Sequence, residues 1–361
     1  AWTTFRRVTL PLTVPGIAAG AVFVFVLSIG NFVTPDLLGG GQRPMLGNLI
    51  YSQYLSARDW PMGSALGFIL VLIMLVLLFA QAVFANRAAG ETEARGVPAG
   101  APMRNDPIRL WLNSHLGLVY VFLYVPILVL IALSFNKSGL PTTWTGFSTE
   151  WYGKLLANPK ILSAAGNSLI VAVISTLIST VVGTLLAMGL EEGRPNPWLD
   201  ALVAAPMIIP DIVLAIALLS FYTLLNMSLG LQSIILSHAV FNIAFVCTVV
   251  RTRLKNFDRS IVEASIDLGA SEVTTFRRVT LPVIAPGVIA AALLSFTLSI
   301  DEFIIAYFTA GAGQGSTTFP MQIYAMIRFG VTPEINAIAT IVIGFSFFLV
   351  LLSQRLNREA A

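Results

Sequence analysis

Long apolar runs separated by short polar stretches dominate this chain, with runs near residues 12–33, 64–85, 115–135, 164–190, 199–225, 230–250, 283–308 and 335–352. A helical run of about 20 residues, rising 1.5 Å per residue, crosses a hydrocarbon layer roughly 30 Å thick. The pattern therefore predicts an all-α polytopic membrane protein with about eight transmembrane helices, two before the polar interval Asn86–Asp106 and six after it. That interval is rich in Gly, Ala, Pro and charge and has no periodic apolar face, so it reads as a flexible cytoplasmic linker.

Composition agrees with a chain solvated by membrane lipid. Of 361 residues, 56% are hydrophobic and 11% charged, against about 25% charged in soluble domains. Lys and Arg set the orientation. With the amino terminus cytoplasmic, only Arg43, Arg58, Lys137, Lys154, Lys160 and Arg328 of the 21 basic residues fall outside. The net charge of +3 then reflects this bias, and no basic soluble face calls for a nucleic-acid partner. The first run is too long and too closely joined to a repeated motif to be a cleavable signal peptide.

The motif is TTFRRVTLPLTVPG at Thr3–Gly16, and it returns as TTFRRVTLPVIAPG at Thr274–Gly287, each time ahead of an apolar run. The correspondence continues: Ser28-Ile29 aligns with Ser299-Ile300, Phe32 with Phe303, Pro44-Met45 with Pro320-Met321 and Pro61 with Pro333. One membrane module thus occurs twice. Residues 1–88 form the end of a first module, 89–110 the linker and 111–361 a complete second module with six spans. Because four further runs precede Thr274 and only two residues precede Thr3, we expect the chain to be part of a longer fused polypeptide.

Between Arg251 and Pro282 the apolar pattern stops, and the residues read as a short helix pair parallel to the membrane. Asp258 suits a helix N-cap, Ile261, Ala264, Ser265 and Leu268 recur at helical spacing, and Gly269 suits a left-handed C-cap. Ser271 is placed to cap a second helix through Phe276, and Leu281-Pro282 turns the chain into the next span. Glu263 and Asp267, at i and i+4, share one face.

Glu263-Ala264-Ser265, then Gly269, then Val279-x-Leu281-Pro282 resembles the EAA loop of inner-membrane permeases of binding-protein-dependent ABC importers. Ser265 stands for the second Ala and Val279 for Ile. The resemblance implies a type I importer (MetI-like) helical bundle in a bacterial inner membrane. It also implies a coupling helix formed by Glu263, Ala264, Ser265, Asp267, Gly269, Leu281 and Pro282 that seats in a groove of a separate ABC ATPase dimer. Glu263 would meet a basic groove residue, and Gly269 would permit the bend. An extracytoplasmic solute-binding protein would deliver the substrate. No G-x-x-x-x-G-K-[ST] motif occurs. Gly311–Thr318 lacks the Lys and reads as a turn, so ATP would be used by the partner and this chain would carry no cofactor.

Charged side chains inside apolar runs default to function, since each costs about 2.5–3.5 kcal/mol mid-membrane on insertion scales. Asp211 lies about 12 residues into its run, roughly 18 Å deep. Pro206 and Pro210 before it break the helical ladder. Asp301 and Glu302 lie roughly 28 Å along the helix from Pro282, near the outer mouth, where they either reach outer water or line a cation path. Phe303 and Tyr307, at i and i+4, would offer an aromatic face to an ammonium. The first copy has Gly30-Asn31 where the second has Asp301-Glu302.

Trp111–Ala361 is similar to the second permease subunit of spermidine/putrescine importers, in Asn167-Ser168-Leu169, in Ser299–Phe303 and in Gly330–Ala337. Ala1–Ala88 is similar to the end of the first subunit, in Thr34–Gly40 and Arg58–Pro61. Importers of ferric iron or aminoalkylphosphonates share much of the pattern. An ion-gradient transporter would leave the Glu263–Pro282 loop without a task. An intramembrane enzyme would need a nucleophile and base, or metal ligands, in one place. Cys247 is alone, and His115 and His238 are expected at helix ends, so no catalytic or metal residues are assigned.

Overall fold

In hydrocarbon a backbone must satisfy its own polar groups, and helix does so within one segment. The protein is described from a computed structural model that defines residues 2–39, 44–93, 107–139, 143–255, 257–328, 330 and 332–359. Among these residues the only strand-like pairing is an isolated bridge, Asn136 with Phe147.

In chain order the helices are α1 (Trp2–Thr4), α2 (Leu10–Ile29), α3 (Val33–Gly39), α4 (Leu46–Ser52), α5 (Trp60–Glu93), α6 (Pro107–Leu133), α7 (Glu150–Ala157) and α8 (Pro159–Glu192). There follow α9 (Pro197–Ile208), α10 (Asp211–Leu224), α11 (Leu231–Leu254), α12 (Ser260–Asp267), α13 (Glu272–Thr275) and α14 (Leu281–Asp301). The last are α15 (Ile304–Thr309), α16 (Phe319–Arg328) and α17 (Pro333–Glu359). Each copy of the repeated motif forms a π-helical turn over Phe-Arg-Arg-Val-Thr, at Phe5–Thr9 and at Phe276–Thr280. The repeat is therefore one of backbone conformation as well as sequence.

Among the described residues, five helices are long and apolar enough to cross a membrane, or six if the bent pair α9 and α10 is one span. The first and last expected spans are also helical, as α2 and α17, the latter apolar over Pro333–Phe345. Two expected runs differ from continuous helices. The run at 199–225 breaks at Ile209-Pro210 and turns by 105°. Ile209, preceding a proline, is extended, with φ −63° and ψ 133°, as proline imposes on its predecessor. The run at 283–308 ends as helix at Asp301, and α15 starts afresh at Ile304. Residues 86–93 of the expected linker continue α5 as helix, and 94–106 lie outside the described residues.

The chain forms two compact units, one of residues 1–159 with 325–361 and the other of residues 160–324. In the first, α2 and α4 pack on α5, and α17 packs on α6 and α7. Its segment after α6 is organised by the buried Asn136. The Asn136 amide donates to the Thr143 carbonyl at 2.8 Å and accepts from Thr145 N–H at 3.0 Å. Trp151 Nε1 donates to the Asn136 carbonyl at 2.7 Å.

In the second unit α8, α11 and α14 share a core of Ala187, Val246, Cys247, Val250, Ile284 and Ala291. A second cluster, Val171, Ile234, Ala306 and Ala310, joins α8 and α11 to α15. Lipid removes the hydrophobic drive between helices, so close approach and polar contacts hold such bundles. Gly183 supplies the approach, since a Cβ there would lie 2.8 Å from Val246 Cβ. Serines supply the polar contacts. Ser175 meets Ser299 at 3.1 Å and Ser179 meets Ser295 at 2.9 Å, all four buried.

Candidate functional site

Two places carry chemistry, both in the second unit. The first is the polar loop between α11 and α14. Asp258 Oδ1 accepts from Ser260 N–H at 3.0 Å, with Arg259 as the N-cap residue, one place later than expected. The bonds to Ser260 hold the Asp258 carboxyl below the usual carboxylate range. Helix α12 closes as a Schellman motif: Ala270 N–H reaches the Ser265 carbonyl at 3.1 Å and Gly269 N–H the Ile266 carbonyl at 2.8 Å. That closure needs a left-handed residue, and Gly269 has φ +85°. Ser271 then caps α13, accepting from Thr274 N–H.

The loop is tied to the spans by Arg251. Its Nε donates to Glu191 at 2.8 Å, at the end of α8, and its Nη1 to Asp200 at 2.7 Å, in the first turn of α9. Arg259 donates to the Glu191 carbonyl. The apolar residues expected on one face of α12 are not packed inward. Ile261 is 44% exposed and Leu268 89% exposed, and Glu263, Ala264 and Asp267 are exposed as well. Val273 on α13 is also exposed. The loop thus presents an anchored, amphipathic surface that a partner protein could cover. Leu281 and Pro282 do not turn the chain as expected: they lie within one helix that runs from Glu272 to Asp301, just past the π-helical turn in which Leu281 N–H bonds the Phe276 carbonyl.

The second place lies where α10 begins and α14 ends. Asp211 is the first residue of α10 beyond the 105° break, rather than a residue within a continuous helix. It is half-buried, on a helix that packs on α15. Asp301 and Glu302 part company at the end of α14. Asp301 is exposed, whereas the Glu302 side chain is 8% exposed and caps α15. Its Oε1 accepts from Ile305 N–H and its Oε2 from Ala306 N–H, each at 3.0 Å. Phe303 and Tyr307 meet with their rings tilted by 36° at 5.2 Å between centroids, and Tyr324 of α16 completes the cluster at 4.8 Å from Phe303 and 5.9 Å from Tyr307.

His238 belongs to this place as well. Instead of marking a helix end it lies within α11, buried, with Nδ1 2.7 Å from Ser299 Oγ and Nε2 3.5 Å from Glu302 Oε2. His115 likewise lies inside a helix, α6, stacked on Trp111. The signal that points to His238 is the set of serines spaced four apart, Ser175 with Ser179 and Ser295 with Ser299, inside otherwise apolar helices. Asn167 and Ser168 act on the segment after α15. Asn167 Nδ2 donates to the carbonyls of Gly315 and Thr317, and Ser168 Oγ accepts from Phe319 N–H at 2.8 Å. Gly311, in the segment read as a turn, has φ +72°.

Residues 1–90 and 179–359 match the family described as the binding-protein-dependent transport system inner membrane component. The chain is 41% identical over 253 residues to the spermidine/putrescine transport system permease protein PotC of Escherichia coli (strain K12), covering 70% of this chain and 95% of that protein. It is 39% identical over 253 residues to the putrescine transport system permease protein PotI of the same strain, covering 67% and 89%. Among solved structures, a bacterial ABC transporter involved in the import of the acidic polysaccharide alginate matches with a TM-score of 0.53 at 15% identity. That likeness covers 72% of this chain and 99% of the other and concerns the fold alone.

Proposed function

We propose, from the premise that this chain belongs to the family of binding-protein-dependent transport system inner membrane components, that it is the permease of an ATP-driven importer for polyamines such as spermidine and putrescine. The observation that carries the substrate class is the 41% identity to PotC along 95% of that protein. The buried carboxylate of Glu302, with an aromatic cluster next in the chain and Asp211 at the start of α10, which packs on α15, supports a path for an organic cation. Asp211, Asp301, Glu302, Phe303 and Tyr307 are its proposed lining.

In this reading the chain is a multi-pass inner-membrane protein, and its amino terminus and the α12–α13 loop are cytoplasmic. Glu263, Ala264, Ser265, Asp267 and Gly269 form the surface that docks on a separate ABC ATPase dimer, with Leu281-Pro282 passing its motion into α14. The exposed Ile261 and Leu268 support this, because an uncovered apolar face at the end of an anchored helix suits a protein partner. ATP is bound and hydrolysed by that partner, and a solute-binding protein delivers the polyamine from the opposite side.

The test is uptake of labelled spermidine and putrescine by vesicles holding the complete transporter, with ATPase and binding protein. ATP-dependent uptake that Glu263→Ala abolishes, with weaker retention of the ATPase, is the expected result. Entry of another solute and of neither polyamine would overturn the substrate assignment.

A further inference from the structure

Asn31 and Glu302 stand at the same point of the internal repeat and do the same structural work. Asn31 Oδ1 accepts from Thr34 N–H at 3.2 Å, as Glu302 Oε1 accepts from Ile305 N–H at 3.0 Å. A neutral amide suffices for this cap in the first copy, so capping does not account for the charge at position 302. A carboxylate 8% exposed in a membrane protein needs another reason.

His238 faces that carboxylate. Its side chain is 1% exposed, its Nε2 lies 3.5 Å from Glu302 Oε2, and Nε2 has no aligned hydrogen bond. Nδ1 is held by Ser299 Oγ at 2.7 Å, Ser299 Oγ by Ser175 Oγ at 3.1 Å, and Ser175 Oγ lies 3.3 Å from the Ala172 carbonyl. Each hydroxyl has one proton to give. When Ser175 donates to Ser299, Ser299 donates to Nδ1, and a neutral ring presents Nε2–H to Glu302. When Ser175 donates to Ala172, Ser299 donates to Ser175 and accepts from Nδ1–H, and only an imidazolium still presents Nε2–H to the carboxylate. Turning two hydroxyls therefore fits the ring in either charge state.

We propose that His238 is a positioning residue of the cation path, its imidazolium neutralising Glu302 until a substrate ammonium takes over that charge. On exchange the imidazolium gives its Nε2 proton to water entering with the substrate and keeps Nδ1–H on Ser299 Oγ, and the bare Nε2 then accepts from the ammonium, so one positive charge replaces another. The titratable groups on neighbouring elements are Asp211 and Tyr222 on α10, Asp301 and Glu302 at the end of α14 and Tyr307 on α15. Helix α8 offers hydroxyls at this level, Ser175 and Thr176. The inference rests on the polyamine-import reading above.

The experiment measures KM for putrescine uptake by the complete reconstituted transporter between about pH 5.5 and 8, the range in which histidine changes charge. For the wild type, KM should rise as pH falls, by up to about tenfold per unit, the slope of one displaced proton, with the maximal rate changing less. His238→Gln should lower that slope by about one log unit per pH unit. The same comparison in an Asp211→Asn background removes that carboxyl from the slope. If His238→Gln does not assemble, Glu302→Gln, which keeps a cap like that of Asn31, should give a higher KM and lose the same slope. Equal slopes in wild type and variant, or a wild-type KM independent of pH, would overturn the role of His238 and leave polyamine import standing. Absence of polyamine uptake by the wild type at every pH would overturn the import reading itself.

Discussion

Ser265 and Thr275 meet hydroxyl to hydroxyl at 3.0 Å across the bend between α12 and α13. Ser265 is the residue that departs from the Glu-Ala-Ala pattern, and the contact gives the departure a partner. A hydrogen bond of this kind contributes about 0.5–1.5 kcal/mol. Ser265→Ala should therefore leave the loop folded and the ATPase bound, with a small loss of thermal stability visible in the purified complex.

Gly269 is far less replaceable. At φ +85° a β-branched side chain is strained by about 1–3 kcal/mol. Gly269→Val should release the Schellman closure and reorient the exposed α12 surface. Copurification of the ATPase with the permease should fall while the spans remain inserted.

Arg251 should matter through three helices at once, because it bonds the end of α8 and the start of α9 from the end of α11. Charged hydrogen bonds contribute about 1.5–3 kcal/mol each in mutational series, less where solvent reaches them, and Arg251 is 23% exposed. Arg251→Ala should lower the Tm of the complex by several degrees and leave Glu191 without its guanidinium partner. Arg251→Lys should recover part of the loss.

At position 302 charge and cap separate. Glu302→Ala removes the acceptor for Ile305 and Ala306 N–H and should cost about 0.5–2 kcal/mol, the usual loss for a cap. Glu302→Gln retains one of the two acceptors and should lose less thermal stability than Glu302→Ala while polyamine uptake falls. A Gln variant that transports at the wild-type rate would remove Glu302 from the path.

Much of this was legible in the residues because the signals are local. Gly269 and Ser271 announce their conformations by type and position, and the motif shared by Thr3 and Thr274 announces the repeat. What the residues concealed depended on pairing across the fold. A histidine eight residues into an apolar run looks the same whether it faces lipid or Glu302, and only the packing of α11 against α14 decides. The break at Pro210 was signalled, but its 105° angle and the resulting place of Asp211 depend on where two short helices find partners. Ile261 and Leu268 followed core spacing yet face outward, since helical periodicity identifies a face and not what covers it.

The broken pair α9 and α10 bears on how the protein is made. Helices Pro197–Ile208 and Asp211–Leu224 are each about 18–21 Å long at 1.5 Å per residue, short of a hydrocarbon layer of roughly 30 Å. Neither half can settle in lipid as an independent span, and the break leaves backbone groups that lipid cannot satisfy. Helix α9 packs on α11 and α10 on α15, both of which emerge later from the ribosome. This stretch is therefore expected to enter the bilayer out of chain order, waiting for the residues that follow it, and a nascent chain stopped before α11 should remain accessible to protease there.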